Sequence, residues 1–147
     1  MSEDPARRGY RLVGCCVDGP GGGPAVDEAL RLAAMAGAAL SLVHVAESAG
    51  RFSGGRTAWS PPEDEVAAGI AAEAASWLSA MAERAGAEAV VLQGDDAAAA
   101  IAAWARERGC DVLVVHPHRR GAVRTALGSV TARLARGAPC PVLVVPA

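Results

Sequence analysis

Five short apolar runs, separated by four stretches with helical spacing, constrain this chain more than any other feature. The runs are Arg11 to Val17 (RLVGCCV), Leu40 to Val45 (LSLVHV), Ala87 to Leu92, Asp111 to Val115 (DVLVV) and Pro141 to Val145 (PVLVV). They read as continuous hydrophobic strands rather than alternating ones, which indicates a parallel sheet covered on both faces. Between them lie helices over Pro24 to Ala36, Glu63 to Ala85, Asp95 or Asp96 to about Arg108, and Gly128 to Arg136. Pro24 near a helix start, Asp95 or Asp96 as a cap, and Gly37, Gly86, Gly109 and Gly137 just past helix ends are the punctuation such elements need. The order is β-α-β-α-β-α-β-α-β, an α/β fold of three layers, α/β/α. Right-handed crossovers give a five-stranded sheet of spatial order 3-2-1-4-5.

The length of 147 residues suits one domain. Residues 1–10 read as a flexible N-terminal arm, and 11–147 as the single domain. The Gly-, Ser- and Pro-rich stretch 46–62 reads as a mobile surface connection. All 14 basic residues are arginine against 16 acidic ones, for a net charge of −2. That balance excludes a strongly basic nucleic-acid binder. The lack of lysine excludes a Schiff-base lysine and a Walker-type phosphate lysine. Aromatics at 3% leave no stacking platform for single-stranded nucleic acid. No apolar stretch reaches the ~20 residues of a membrane span, and no signal-peptide core follows Met1, so the expectation is a cytoplasmic protein with neither nucleic acid nor membrane as partner. Cys15 and Cys16 point to opposite faces of the first strand. With Cys110 and Cys140 they read as reduced, mostly buried thiols, and zinc spacing is missing.

Open parallel sheets bind ligands outside the carboxyl ends of their strands, where the strand order reverses. Here that point lies between strands one and four, so the crevice falls between Asp18–Gly23 (DGPGGG) and His116–Gly121 (HPHRRG). Asp18 reads as a ribose ligand or as a turn or helix-cap aspartate. Gly128-Ser129 opens the last helix, whose unpaired N–H groups and dipole suit an anion. Ser129 is either a phosphate donor or a plain N-cap. Arg119, Arg120 and Arg124 add positive charge, as phosphate ligands or as a solvated surface. The cluster GPGGGP is no dinucleotide fingerprint, since Pro24 stands where its third glycine would fall. His116 and His118 form an H-x-H pair without an evident third metal ligand. No nucleophile-elbow G-x-S-x-G occurs.

These residues resemble the universal stress protein (UspA-type) family from about Arg11 to Pro146. The matching marks are VDG (Val17 to Gly19), VHV (Val43 to Val45), QGD (Gln93 to Asp95), CDVLVV (Cys110 to Val115) and LGSVTARLARGAPCPVLVVP (Leu127 to Pro146). The resemblance implies an adenine nucleotide alpha hydrolase-like fold and a stress-response role. It implies binding of ATP or another adenine nucleotide without efficient catalysis, with Mg2+ accompanying ATP alone. It also implies a homodimer formed through the C-terminal strand, Pro141 to Val145, an apolar edge that independently seeks a partner. On its pattern Asp18 holds the ribose, Val45 lies near the adenine, and Gly128, Ser129 and Val130 open the phosphate-binding helix. ATP-binding members carry G-x2-G-x9-G-[S/T] after strand four. Gly128-Ser129 fills the last pair, but Val115 and His118 replace the two earlier glycines. Two readings therefore stand: His116, His118, Arg119 and Arg120 supply phosphate contacts from side chains, or the domain is a nucleotide-free dimerisation and partner-binding module.

Overall fold

The computed structural model describes residues 4, 8–46, 63–117 and 128–146. Nine elements follow in the expected order: β1 (Leu12–Cys16), α1 (Pro24–Ala36), β2 (Ala39–Ala46), α2 (Glu63–Ala85), β3 (Glu88–Gln93), α3 (Ala97–Arg108), β4 (Val112–Val115), α4 (Ser129–Gly137) and β5 (Val142–Val144). The strands form one sheet of order β3-β2-β1-β4-β5, every neighbouring pair parallel. The sequence-based order 3-2-1-4-5 is therefore the observed one.

Pleating divides the apolar strand residues between two cores. Val13, Cys15, Leu40, Leu42, Val112 and Val114 face one side, where Ala25, Val26 and Ala29 of α1 and Leu78, Met81 and Ala82 of α2 cover them. Val43, Leu113 and Val115 face the other, against Ile101 and Trp104 of α3 and Leu134 of α4. Cys15 and Cys16 go to opposite cores, as adjacent strand residues must. All four thiols are free. Gly14 faces the second core under Trp104; a Cβ there would stand 2.9 Å from the Trp104 ring, so only glycine lets α3 approach β1 this closely.

The helix ends mostly follow the expected punctuation. Pro24 is the first residue of α1, and Asp96, not Asp95, caps α3 by accepting the Ala99 N–H at 3.1 Å. Gly37 and Gly109 close their helices in left-handed conformation, φ 64° and 65°. Gly137 departs from expectation. It is the last helical residue of α4, and the helix stops at extended Ala138. The reason is Pro139, which disfavours helical backbone in the residue before it. The 47–62 part of the expected mobile connection and most of the N-terminal arm lie outside the described residues.

Candidate functional site at the carboxyl edge of β1 and β4

In a parallel sheet all strands end on one edge. The β1–β4 register pairs Cys15 with Val114. Carried forward, it sets Val17 beside His116 and Asp18 beside Pro117. On β1's other side the order continues to β2 and β3, so this edge is where the sheet's connectivity reverses. Asp18 is exposed there, beyond the buried Val17. It is not the cap of α1, a position held by Gly23 without any side-chain cap bond.

The helix α4 joins two parallel strands, so it runs back against them and its N-terminus lies at the same edge. Gly128 is its N-cap, with φ −52° and no side-chain cap bond. Ser129 is therefore the first helical residue rather than the cap. Val130, in the next position, is 37% exposed, while Thr131 and Leu134 point into the core. Arg133 of α4 grips Asp96 of α3 with two bonds, each 2.7 Å. Asp96 thus ends two tasks at once: it caps α3 and holds α4 beside it.

Val45 is half-buried on the α3/α4 side of β2, packed against the second core. His116 is half-buried at the end of β4, and its Nδ1 lies 2.9 Å from the Val145 carbonyl oxygen. His44 makes the equivalent contact from β2, 2.7 Å from the Val17 carbonyl oxygen. Its ring meets Trp77 of α2 edge-on at 4.9 Å between centroids. Sequence reasoning assigned His44 no site role. Val115, standing for a motif glycine, is buried among the α3/α4 core residues. His118, Arg119, Arg120 and Arg124 lie outside the described residues. The structure therefore brings Asp18, His116 and the start of α4 to one edge, with Val45 on the neighbouring strand.

The residues present fit an adenine nucleotide in part. A carboxylate beyond β1 can accept ribose hydroxyls, and the uncapped start of α4 offers N–H groups to an anion. Among the described residues no group of three or more His, Cys, Asp or Glu side chains is placed to hold a metal ion. Nor is any helix there long and apolar enough to cross a membrane.

Comparison with known proteins agrees with this architecture. No curated protein matches the chain. Among solved structures, the universal stress protein UspA from Lactobacillus plantarum is similar at TM-score 0.75 and 20% identity, covering 95% of this chain and 99% of that one. A universal stress family protein from Burkholderia pseudomallei is similar at TM-score 0.65 and 29% identity, over 94% of this chain and 97% of its own. A universal stress protein in complex with cAMP is similar at TM-score 0.58 and 26% identity, over 95% and 98%. The family model described as "Universal stress protein family" matches residues 9–146, nearly the whole chain, and the chain belongs to that family.

Proposed function

We propose that this protein is a cytoplasmic stress-response module that binds ATP or a related adenine nucleotide at the carboxyl edge between β1 and β4, without efficient catalysis. The observation that carries this reading is that Asp18 and the uncapped N-terminus of α4 share the edge where the strand order reverses. A family relative in complex with cAMP supports it. In this reading Asp18 accepts hydrogen bonds from the ribose and Val45 flanks the adenine. The N–H groups of Ser129 and Val130, with the Ser129 hydroxyl, face the phosphates. His116, His118, Arg119 and Arg120 add side-chain contacts where the motif glycines are replaced. Mg2+ would accompany ATP only.

Calorimetry with ATP at millimolar concentration tests it. Saturable heat is expected, weakened by Asp18→Ala and abolished by Gly128→Trp. An absence of saturable heat from the unaltered protein sinks the reading. Turnover of labelled ATP well above the Gly128→Trp control would instead mark an enzyme.

One observation favours a second reading, a nucleotide-free dimerisation or partner-binding module: Val115, where the ATP motif has a glycine, is a buried core valine. β5 is an edge strand, and its Leu143 is 38% exposed. We propose a homodimer through Pro141 to Val145 under either reading. Light scattering should give twice the monomer mass, and Leu143→Arg should return it to the monomer value.

A further inference from the structure

The carboxyl edge carries the same backbone device twice. Val17 lies one residue past β1. Its N–H donates to the Val43 carbonyl at 2.8 Å, and its own carbonyl accepts from His44 Nδ1 at 2.7 Å. Val145 lies one residue past β5. Its N–H donates to the Val115 carbonyl at 2.8 Å, and its carbonyl accepts from His116 Nδ1 at 2.9 Å. A carbonyl only accepts, so in each contact the imidazole Nδ1 is the donor. In each case a Val-His pair on one strand holds both polar groups of a single valine on a neighbouring strand.

A continuing parallel ladder would have used a backbone N–H two residues along, from Val45 or from residue 117. Residue 117 is proline and has no N–H to give. The imidazole supplies the hydrogen instead, so each ladder is extended by one residue and closed with a side chain. The pairs clamped are β1 to β2 and β5 to β4. Between them stands the central pair, β1 and β4, whose pairing stops at Cys15 and Val114 without such a clamp. Each clamp therefore holds one wall of the candidate crevice to its outer neighbour. Asp18 is the residue next to the clamped Val17, and His44 is itself braced by Trp77.

We propose that His44 and His116 are positioning residues, which hold the exits of β1 and β4 apart and set the backbone from which Asp18 reaches its ligand. The ligand half of this proposal rests on the nucleotide reading above; the clamp half does not.

The test pairs two substitutions at each histidine. Asparagine places Nδ2 where histidine has Nδ1 and keeps the donor; leucine removes it. Amide exchange is read first, without ligand. His44→Leu is expected to speed exchange at Val17 by roughly tenfold and to leave Val145 unchanged, and His116→Leu to do the reverse. Both asparagine variants should stay within about threefold of the unaltered protein. ATP calorimetry is read second. His44→Leu is expected to weaken ATP by roughly tenfold, with rescue by His44→Asn. Equal acceleration at both valines in each leucine variant overturns the clamps, because that is general loosening. Asparagine variants as defective as the leucine ones overturn them too. Clamps that behave as expected with ATP affinity unchanged overturn the positioning role. If the unaltered protein gives no heat with ATP, the nucleotide reading falls, and the exchange pattern still decides the clamps.

Discussion

Single atoms decide several contacts in this molecule. At Gly14 a Cβ would meet Trp104 at 2.9 Å, Leu113 at 3.0 Å and Cys110 at 3.1 Å. Gly14→Ala should therefore cost about 1–3 kcal/mol in urea unfolding, because the second core must part to admit one methyl group. Asp111 is a different case. Its carboxylate accepts from the backbone N–H groups of Arg11 at 2.7 Å and Leu12 at 2.9 Å, fastening the start of β1 beside β4. Partial burial pushes its pKa up, but those two bonds and the nearby Arg8 and Arg11 charges outweigh burial, and the net shift is downward. A carboxyl lowered in the folded state stabilises it above the ordinary carboxylate range. That contribution fades as pH falls through the lowered value. Asp111→Asn should cost about 1 kcal/mol at neutral pH and flatten the acid limb of a stability-against-pH curve.

At the scale of elements, helix ends are the decisive places. Gly109 ends α3 at φ 65° with nothing near its missing Cβ. Gly109→Ala should therefore lower stability by about 1 kcal/mol through backbone conformation alone, without altering core packing. The Asp96–Arg133 pair adds a polar contact to the packing of α4 beside α3, and both side chains are about half exposed, 45% and 56%. The Arg133 hydrogen bond leads the causes that hold the Asp96 carboxyl below its ordinary pKa. Arg133→Ala should lower the melting temperature in low salt and lose that effect in high salt, since an exposed pair is screened. Asp96→Ala should lower it further, and the excess should persist in salt, because the α3 cap is lost as well. Equal melting temperatures for the two variants would show that the cap contributes nothing.

For the whole molecule, the two cores protect the thiols. Burial pushes the Cys15 pKa up to about 12 and that of Cys110 to about 11, and it raises Cys16 and Cys140 as well. The thiolate is the reactive form, so alkylation at pH 8 should be slow in the native protein and complete in denaturant. Rapid native labelling of Cys15 would mean that the sheet opens locally.

Much of this architecture was legible in the residues. The bounds of α1 and the end of α2 follow from Pro24, Gly37 and Gly86, which act on their immediate neighbours. The strand order follows from five apolar runs and the handedness of their crossovers. The candidate site was legible as a location, since reversal of strand order places Asp18, His116 and the start of α4 on one edge. Other features were not. Of the two readings of Ser129, phosphate donor or cap, the cap falls, because Gly128 holds that place. Gly137 looked like a stop, yet it is helical and Pro139 places the stop at Ala138. Nothing in the sequence announced that His44 and His116 make the same bond to a neighbouring carbonyl.

By itself, then, the order of apolar and helical segments determined the class of fold, the strand order and the edge where that order reverses, because periodicity and chirality act locally and repeat along the chain. Which arginine holds Asp96 and which carbonyl each histidine meets were decided only by the folded chain. Those bonds join residues 27 to 37 positions apart, and their geometry exists only once the sheet has brought the partners to hydrogen-bonding distance.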